Sequence, residues 1–288
     1  NYSLVTGQTV AANITPYAVS MTGTRAYDST TSVAAGIFTL GSLVGAETLT
    51  LSGTGSVPSA NAGTYPVTLG TLTLGDGTNG GLAGNYTFTG GTQTATIGTA
   101  ALALVTASDA SKTYGTTYTL GTTAFTVTGL QGSDNISGVT LTSAGAINTA
   151  NAGTYAIVPS DAVFSVGSPG NYTISYVNGT LTVNPAPLTA AVTGTPTRVY
   201  NGTTVATLAP ANYTLTGFIS GEGATVTQTA GTYNSKDVVT ATTVSATLAP
   251  TDFTATGATL LSNYTLPTAA SGAGQITVYA VSMTGIRA

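Results

Sequence analysis

The side chains able to do chemistry are few. The chain has 288 residues, five of them basic and nine acidic, and no His, Cys or Trp. Without an imidazole, its many Ser and Thr hydroxyls cannot enter a Ser-His-Asp arrangement. Without Cys there is no thiolate nucleophile and no disulfide. The acids are Asp28, Glu47, Asp76, Asp109, Asp134, Asp161, Glu222, Asp237 and Asp252. They are scattered, and no Asp-x-Asp or EF-hand loop gathers the oxygens that calcium needs. The sequence therefore predicts no catalysis, no cofactor and no dedicated metal site; calcium held between distant repeats is the alternative.

The charges do recur. A cation stands two residues before a Tyr at Arg25/Tyr27, Lys112/Tyr114 and Arg198/Tyr200, and Arg287 begins a fourth copy. An acid follows that Tyr after 20, 20 and 22 residues, at Glu47, Asp134 and Glu222, each ending a Gly-hydrophobe loop. Matched opposite signs in so charge-poor a chain predict ion pairs Arg25–Glu47, Lys112–Asp134 and Arg198–Glu222. Exposed pairs of this kind contribute about 0–1 kcal/mol, so orientation or solubility would be their use. The competing expectation is that each charge is solvated near a turn. A Lys–Asn isopeptide crosslink at Lys112 is disfavoured, because Arg25 and Arg198 replace it in the sister copies and Arg cannot form that amide.

Two further anchors carry the same period. Asn-Tyr followed by Ser or Thr recurs at Asn1-Tyr2, Asn85-Tyr86, Asn171-Tyr172 and Asn263-Tyr264, and Asn-Ala-Gly-Thr-Tyr at Asn61 to Tyr65 and Asn151 to Tyr155. The third unit has Ser235-Lys236-Asp237-Val238 in the corresponding place. The tyrosines Tyr27, Tyr114, Tyr200, Tyr86, Tyr172 and Tyr264 are expected in the core with their hydroxyls tied to backbone; a sugar-stacking platform is the alternative. Over the whole chain, residues 263–288 repeat residues 1–26 after an interval of 262 residues, and Tyr279-Ala280-Val281-Ser282-Met283 is identical to Tyr17-Ala18-Val19-Ser20-Met21. Such self-similarity is the mark of an array.

The elements carrying these anchors read as strands. Thr and Val favour strands, and 37 Gly with 11 Pro supply turns. Alternation on both sides of Asn178-Gly179 predicts a hairpin joining residues 172–177 to residues 180–183. Six or seven short strands per unit predict an all-β fold of tandem immunoglobulin-like β-sandwich domains, arranged end to end as a rod or filament. The expected division is residues 1–16 finishing a preceding repeat, then domains at 17–99, 100–186 and 187–277, of subtypes A-B-A, with 278–288 starting another. Pro at the junctions, as in Asn184-Pro185-Ala186-Pro187, favours short stiff connections.

Partners follow from the same composition. A net charge of −4 with no basic stripe disfavours nucleic acid. No stretch reaches the ~18 apolar residues of a membrane helix. The expected partners are copies of the same unit, end to end, and side by side through strand edges with few charged gatekeepers. Asn-x-Ser/Thr sequons occur, among them Asn85 and Asn171, and chance explains most in so Thr-rich a chain.

Tyr27-Asp28-Ser29-Thr30-Thr31 and Tyr200-Asn201-Gly202-Thr203-Thr204 resemble the name-giving motif of the YDG repeats of Gram-negative surface proteins, with Ser29 standing where the motif has Gly. Lys112-Thr113-Tyr114-Gly115 and Asn151-Ala152-Gly153-Thr154-Tyr155 resemble the companion MBG ("mostly β, Gram-negative") repeats. The resemblance covers nearly the whole chain. It implies an extracellular or cell-surface stalk of a large secreted adhesin, of the filamentous-haemagglutinin or biofilm-matrix kind. Two alternatives stand beside it. One is a glycan- or surface-binding module using the loop Gly75 to Gly84. The other is a discrete subunit that forms filaments by strand exchange.

Overall fold

The computed structural model describes residue 7 and residues 11–285. Among them every regular element is a strand or a single 3-10 turn, so the chain is all-β. The strands are short because a Gly, Asn or Pro interrupts almost every apolar run. Where alternation persists, it sets the buried face: in Gln93–Gly98 the side chains of Ala95 and Ile97 point inward and are buried. No helix among the described residues is long and apolar enough to cross a membrane.

The residues fall into two compact units. The first comprises 1–107, 121–141 and 159–177. Its four-stranded sheet has the order Phe38–Leu40, Met21–Ala26, Gln93–Gly98, Gly63–Pro66. A three-stranded sheet follows, with Ala100–Ala107 between Phe125–Thr128 and Tyr172–Val177. Its core gathers Val33, Val57, Ala95, Ile97 and Ala103 around Tyr27 and Tyr172.

The second unit comprises 108–120, 142–158 and 178–288. Its six-stranded sheet runs Val205–Thr207, Ala230–Tyr233, Thr243–Thr247, Ala269–Ala273, Thr189–Val192, Tyr213–Thr216. Val192, Ala206, Val226, Tyr233, Val244 and Ile276 form its main core. Fully burying side chains of this size contributes ~1.5–3 kcal/mol each.

One arrangement occurs three times. An early strand of each repeat lies parallel to its last: Met21–Ala26 beside Gln93–Gly98, Ala110–Thr113 beside Gly179–Asn184, and Thr197–Val199 beside Gln275–Thr277. A parallel pair cannot be joined by a tight turn, so the rest of each repeat is the crossover between its ends. Just before these pairs lie further parallel contacts, Tyr17–Ala18 with Tyr86–Thr87, Ala100–Ala107 with Tyr172–Val177, and Ala186–Pro187 with Tyr264–Thr265. Tyr86, Tyr172 and Tyr264 are thereby fixed at the start of their strands.

The hairpin expected at Asn178-Gly179 does not form. Tyr172–Val177 pairs with Ala100–Ala107, whereas Gly179–Asn184 pairs with Ala110–Thr113 and Gly153–Val166 in another sheet. A two-residue hairpin of the expected kind needs positive φ in its turn. Neither Asn178 nor Gly179 adopts it, and the chain passes from one sheet to the next. Residues 1–6, including Tyr2, and Arg287 lie outside the described residues, as does most of the segment expected to finish a preceding repeat. Residues 278–285 carry no strand, and Val281 and Met283 are exposed.

Candidate functional site

The repeated acids sit at the ends of tight turns. Glu47 N–H donates to the Val44 carbonyl (3.2 Å), Asp134 N–H to Gln131 (3.0 Å) and Glu222 N–H to Ile219 (3.1 Å). Each turn has a glycine at positive φ inside it, Gly45, Gly132 or Gly221, a conformation in which a side chain would be strained. The turns aim the three carboxylates at the tyrosine of the Asn-Tyr motif. Its hydroxyl donates to Glu47 from Tyr86 (2.5 Å), to Asp134 from Tyr172 (2.6 Å) and to Glu222 from Tyr264 (2.6 Å). The same three hydroxyls accept a backbone N–H, from Val44 (3.1 Å), Gln131 (2.9 Å) and Ile219 (3.2 Å).

At Asp134 and Glu222 a second phenol completes the arrangement. Tyr27 donates to Asp134 Oδ2 (2.8 Å) and Tyr114 to Glu222 Oε1 (2.6 Å). The paired rings meet edge to face, Tyr27 with Tyr172 at 5.5 Å and Tyr114 with Tyr264 at 5.4 Å between centroids. Phe164 stacks on Tyr172, and Phe218 meets Tyr264 edge-on. Such aromatic pairs contribute ~0.5–1.5 kcal/mol beyond their burial. Each carboxylate is thus held between two buried phenols, in hydrogen bonds stronger than neutral ones.

An asparagine clasp closes beside each pair. Asn171 Oδ1 accepts from Ala62 N–H (2.9 Å) and its Nδ2 donates to Asn61 Oδ1 (2.9 Å). Asn263 makes the same bonds to Ala152 N–H (2.8 Å) and Asn151 Oδ1 (3.0 Å). Both Asn171 and Asn263 are 1% exposed. Sequence reasoning found both motifs but did not join them. The signal was there: Asn61 to Asn171 and Asn151 to Asn263 are nearly equal intervals, each a little longer than one repeat.

The electrostatics follow the geometry. Burial and the hydrogen bond to Asp134 push the Tyr172 phenol up to about 12, and burial and Glu222 do the same for Tyr264. Tyr27 and Tyr114 move in the same direction, by burial first and their carboxylates second. Tyr86 is also raised, chiefly by its bond to Glu47. These five phenols keep their protons through the neutral range and act as donors to the carboxylates.

The expected cation–acid pairs are not formed. Arg25 meets Asp28 at 2.5 Å and donates to the carbonyls of Ala26 and Thr30. Asp28 is held below the usual carboxylate range: burial alone would raise it, but its bonds from Thr30 and the nearby Arg25 outweigh that. Lys112 donates to the carbonyls of Thr116 and Ile147, and burial lowers its ammonium. Arg198 donates to Thr203 and the Val205 carbonyl, and its guanidinium lies 5.5 Å from the centre of the Tyr233 ring. The cations therefore pin the turn after the anchor tyrosine. Charge does not pair these residues because each cation finds acceptors in the turn beside it, while each acid is aimed at a tyrosine by its own turn.

That turn also explains the departure at Ser29. Ser29, Gly202 and Gly115 all have positive φ, at 65°, 80° and 85°. Asp28 and Asn201 each accept the N–H two residues on, from Thr30 and Thr203. Ser29 is a strained occupant of a position that favours glycine.

The tyrosines expected in the core are there, with one difference. Tyr27, Tyr114, Tyr86, Tyr172 and Tyr264 are buried, while Tyr200 is half-buried. The hydroxyls of Tyr86, Tyr172 and Tyr264 bond a carboxylate and a backbone N–H, and those of Tyr27 and Tyr114 a carboxylate.

Comparison with family models matches the YDG domain to residues 10–96 and 184–272, and the MBG domain (YGX type) to residues 103–182. No curated protein matches the chain. On these boundaries Tyr27 and Asn61 belong to the first YDG copy, while Asp134, Asn171 and Tyr172 belong to the MBG domain. Tyr114 and Asn151 belong to the MBG domain, while Glu222, Asn263 and Tyr264 belong to the second YDG copy. Each completed clamp thus joins consecutive repeats, one giving a tyrosine and an asparagine, the next giving the acid, a tyrosine and an asparagine. With YDG matches over more than half its length, the chain belongs to the YDG domain family and carries an MBG domain between its two YDG copies.

Proposed function

We propose that the chain is a segment of a structural stalk or filament at a bacterial cell surface, built of tandem β-sandwich repeats and without enzymatic activity. The observation that carries this is the repetition of one joint. Asp134 between Tyr27 and Tyr172, and Glu222 between Tyr114 and Tyr264, are the same device made from different sequence. A joint closed by buried polar bonds fixes direction in a way that an apolar contact alone does not, because each donor must meet its acceptor. Repetition of such a joint sets length and stiffness. The shortage of charge and the absence of Cys suit a fibre that persists outside the cell and associates along its strand edges.

Small-angle scattering tests this. A compact chain of this length has a radius of gyration of roughly 19 Å. A stalk segment is expected well above that value, unchanged at high salt. A value near the compact figure overturns the proposal.

A further inference from the structure

One clamp is half built. Glu47 takes the place of Asp134 and Glu222, and Tyr86 that of Tyr172 and Tyr264, with the same turn and the same two hydrogen bonds. The second phenol is missing among the described residues. The ring edge-on to Tyr86 is Tyr17, at 6.1 Å, and no hydrogen bond joins it to Glu47. Every surrounding position is correspondingly open. Asn85 is exposed, where Asn171 and Asn263 are 1% exposed. Tyr17 is 49% exposed, where Ala100 and Ala186, paired at the same register, are buried. Val44 is 53% exposed, where Ile219 is half-buried in a cluster with Tyr114. A hollow of about 390 Å³, lined by Phe38, Leu40, Leu43 and Leu49, adjoins Glu47.

The complementary half is also present and unused. Tyr200 stands where Tyr27 and Tyr114 stand: the N–H of each donates to a carbonyl of the equivalent strand, that of Thr277, Gly98 and Asn184 respectively. Both of those are buried and bound to an acid, whereas Tyr200 is half-buried, and among the described residues its hydroxyl has no partner. Lys236 and Asp237, in the region matching Asn61 and Asn151, pair only with each other on the surface.

Sequence spacing matches the two halves. Tyr27 and Asp134 are 107 residues apart, Tyr114 and Glu222 108. One 262-residue period beyond Glu47 is position 309, which is 109 residues past Tyr200. Likewise Asn61 and Asn171 are 110 apart, Asn151 and Asn263 112. One period beyond Asn85 is position 347, which is 110 past Asp237.

We propose that Glu47, Tyr86 and Asn85 form the receiving half of a third clamp, whose occupant is the Tyr200 end of a second copy of this 262-residue unit. The proposal rests on the tandem-repeat stalk and deepens it, by naming which surfaces meet and in what order. Tyr200 donates to Glu47, and the loop holding Lys236 and Asp237 comes to Asn85. The Val44 side chain and the neighbouring hollow are covered.

Two full-length variants test it, each with one half removed. An isotopically labelled chain carrying Tyr200→Phe keeps only the receiving half. An unlabelled chain carrying Glu47→Met keeps only the Tyr200 half, because Met offers no strong acceptor. Each change preserves size, so both chains fold. Titrating the second into the first is expected to shift the Val44 backbone amide and the Asn85 side-chain amide saturably. Sedimentation should show a complex of two chains and no larger. Replacing the unlabelled partner with one that also carries Tyr200→Phe should weaken binding at least tenfold. No shift at about 1 mM partner, corresponding to about −4 kcal/mol, overturns the proposal. So does association that ignores Tyr200, or that depends instead on Met283 and the exposed segment around it, which would be strand exchange. A failed titration with an extended scattering profile rejects this joint and leaves the stalk. A heterodimer of compact chains rejects the stalk and leaves this joint.

Discussion

The clamps at Asp134 and Glu222 and the half-clamp at Glu47 differ in company, not in construction. In all three, a glycine-containing turn presents an acid to the tyrosine of its own repeat, and that tyrosine takes a backbone N–H in return. This half is made within one repeat, from the turn, the acid and the tyrosine. At Asp134 and Glu222 the preceding repeat adds a second phenol and the asparagine clasp, and there Asn171 and Asn263 are 1% exposed, where Asn85 is exposed. Preorganisation of this kind leaves the incoming repeat with little ordering cost.

The largest test of that difference removes the acids. Asp134→Ala or Glu222→Ala leaves two buried phenols without their charged acceptor, and hydrogen bonds to charged groups contribute about 1.5–3 kcal/mol each. A loss of about 3–5 kcal/mol is expected in the denaturant transition of the affected unit, against a clearly smaller shift for Glu47→Ala. Equal effects at all three acids would break the comparison.

The asparagines come next. Asn171→Ala or Asn263→Ala strands the Ala62 or Ala152 N–H inside the protein and should cost about 1–3 kcal/mol. Asn85→Ala should stay within about 0.5 kcal/mol, as surface changes do. Thermal unfolding of the three variants side by side reads this directly.

Alkali gives the most gradual effect. Tyr172 and Tyr264 hold their protons up to about 12 when folded, against an ordinary value of 10.0. A raised folded-state value means that the stabilisation is complete below pH 10 and is lost as pH climbs from 10 to 12. Tyrosinate absorbance should therefore appear late, together with loss of stability. If phenol ionisation in this window leaves stability unchanged, the hydroxyl bonds are not what holds the clamps.

Much of this was legible in the residues. The anchors recur at nearly fixed spacing, and a spacing kept through otherwise different sequence marks positions that share a geometry. Tyr27, Tyr114, Glu222 and the Asn-Tyr pairs were all visible on that ground. Their partners were not. Charge suggested Lys112 with Asp134, yet Lys112 turns to the carbonyls of Thr116 and Ile147, while Asp134 faces two tyrosines. Sequence shows which positions repeat, but a hydrogen bond depends on which side chains meet once separate repeats are folded. Asn178-Gly179 shows the same limit. The local hairpin signal is strong, but parallel pairing of Gly179–Asn184 with Ala110–Thr113 draws the chain into another sheet.

The sequence by itself determined the alternation, the periods and the identity of the anchors, because these are properties of residue order. Only the tertiary structure decided what each anchor touches: Asp134 meets Tyr27 from 107 residues away, and Lys112 meets the Ile147 carbonyl. A side chain's partners come from segments distant in the chain, and residue order does not say which of those segments will lie beside it.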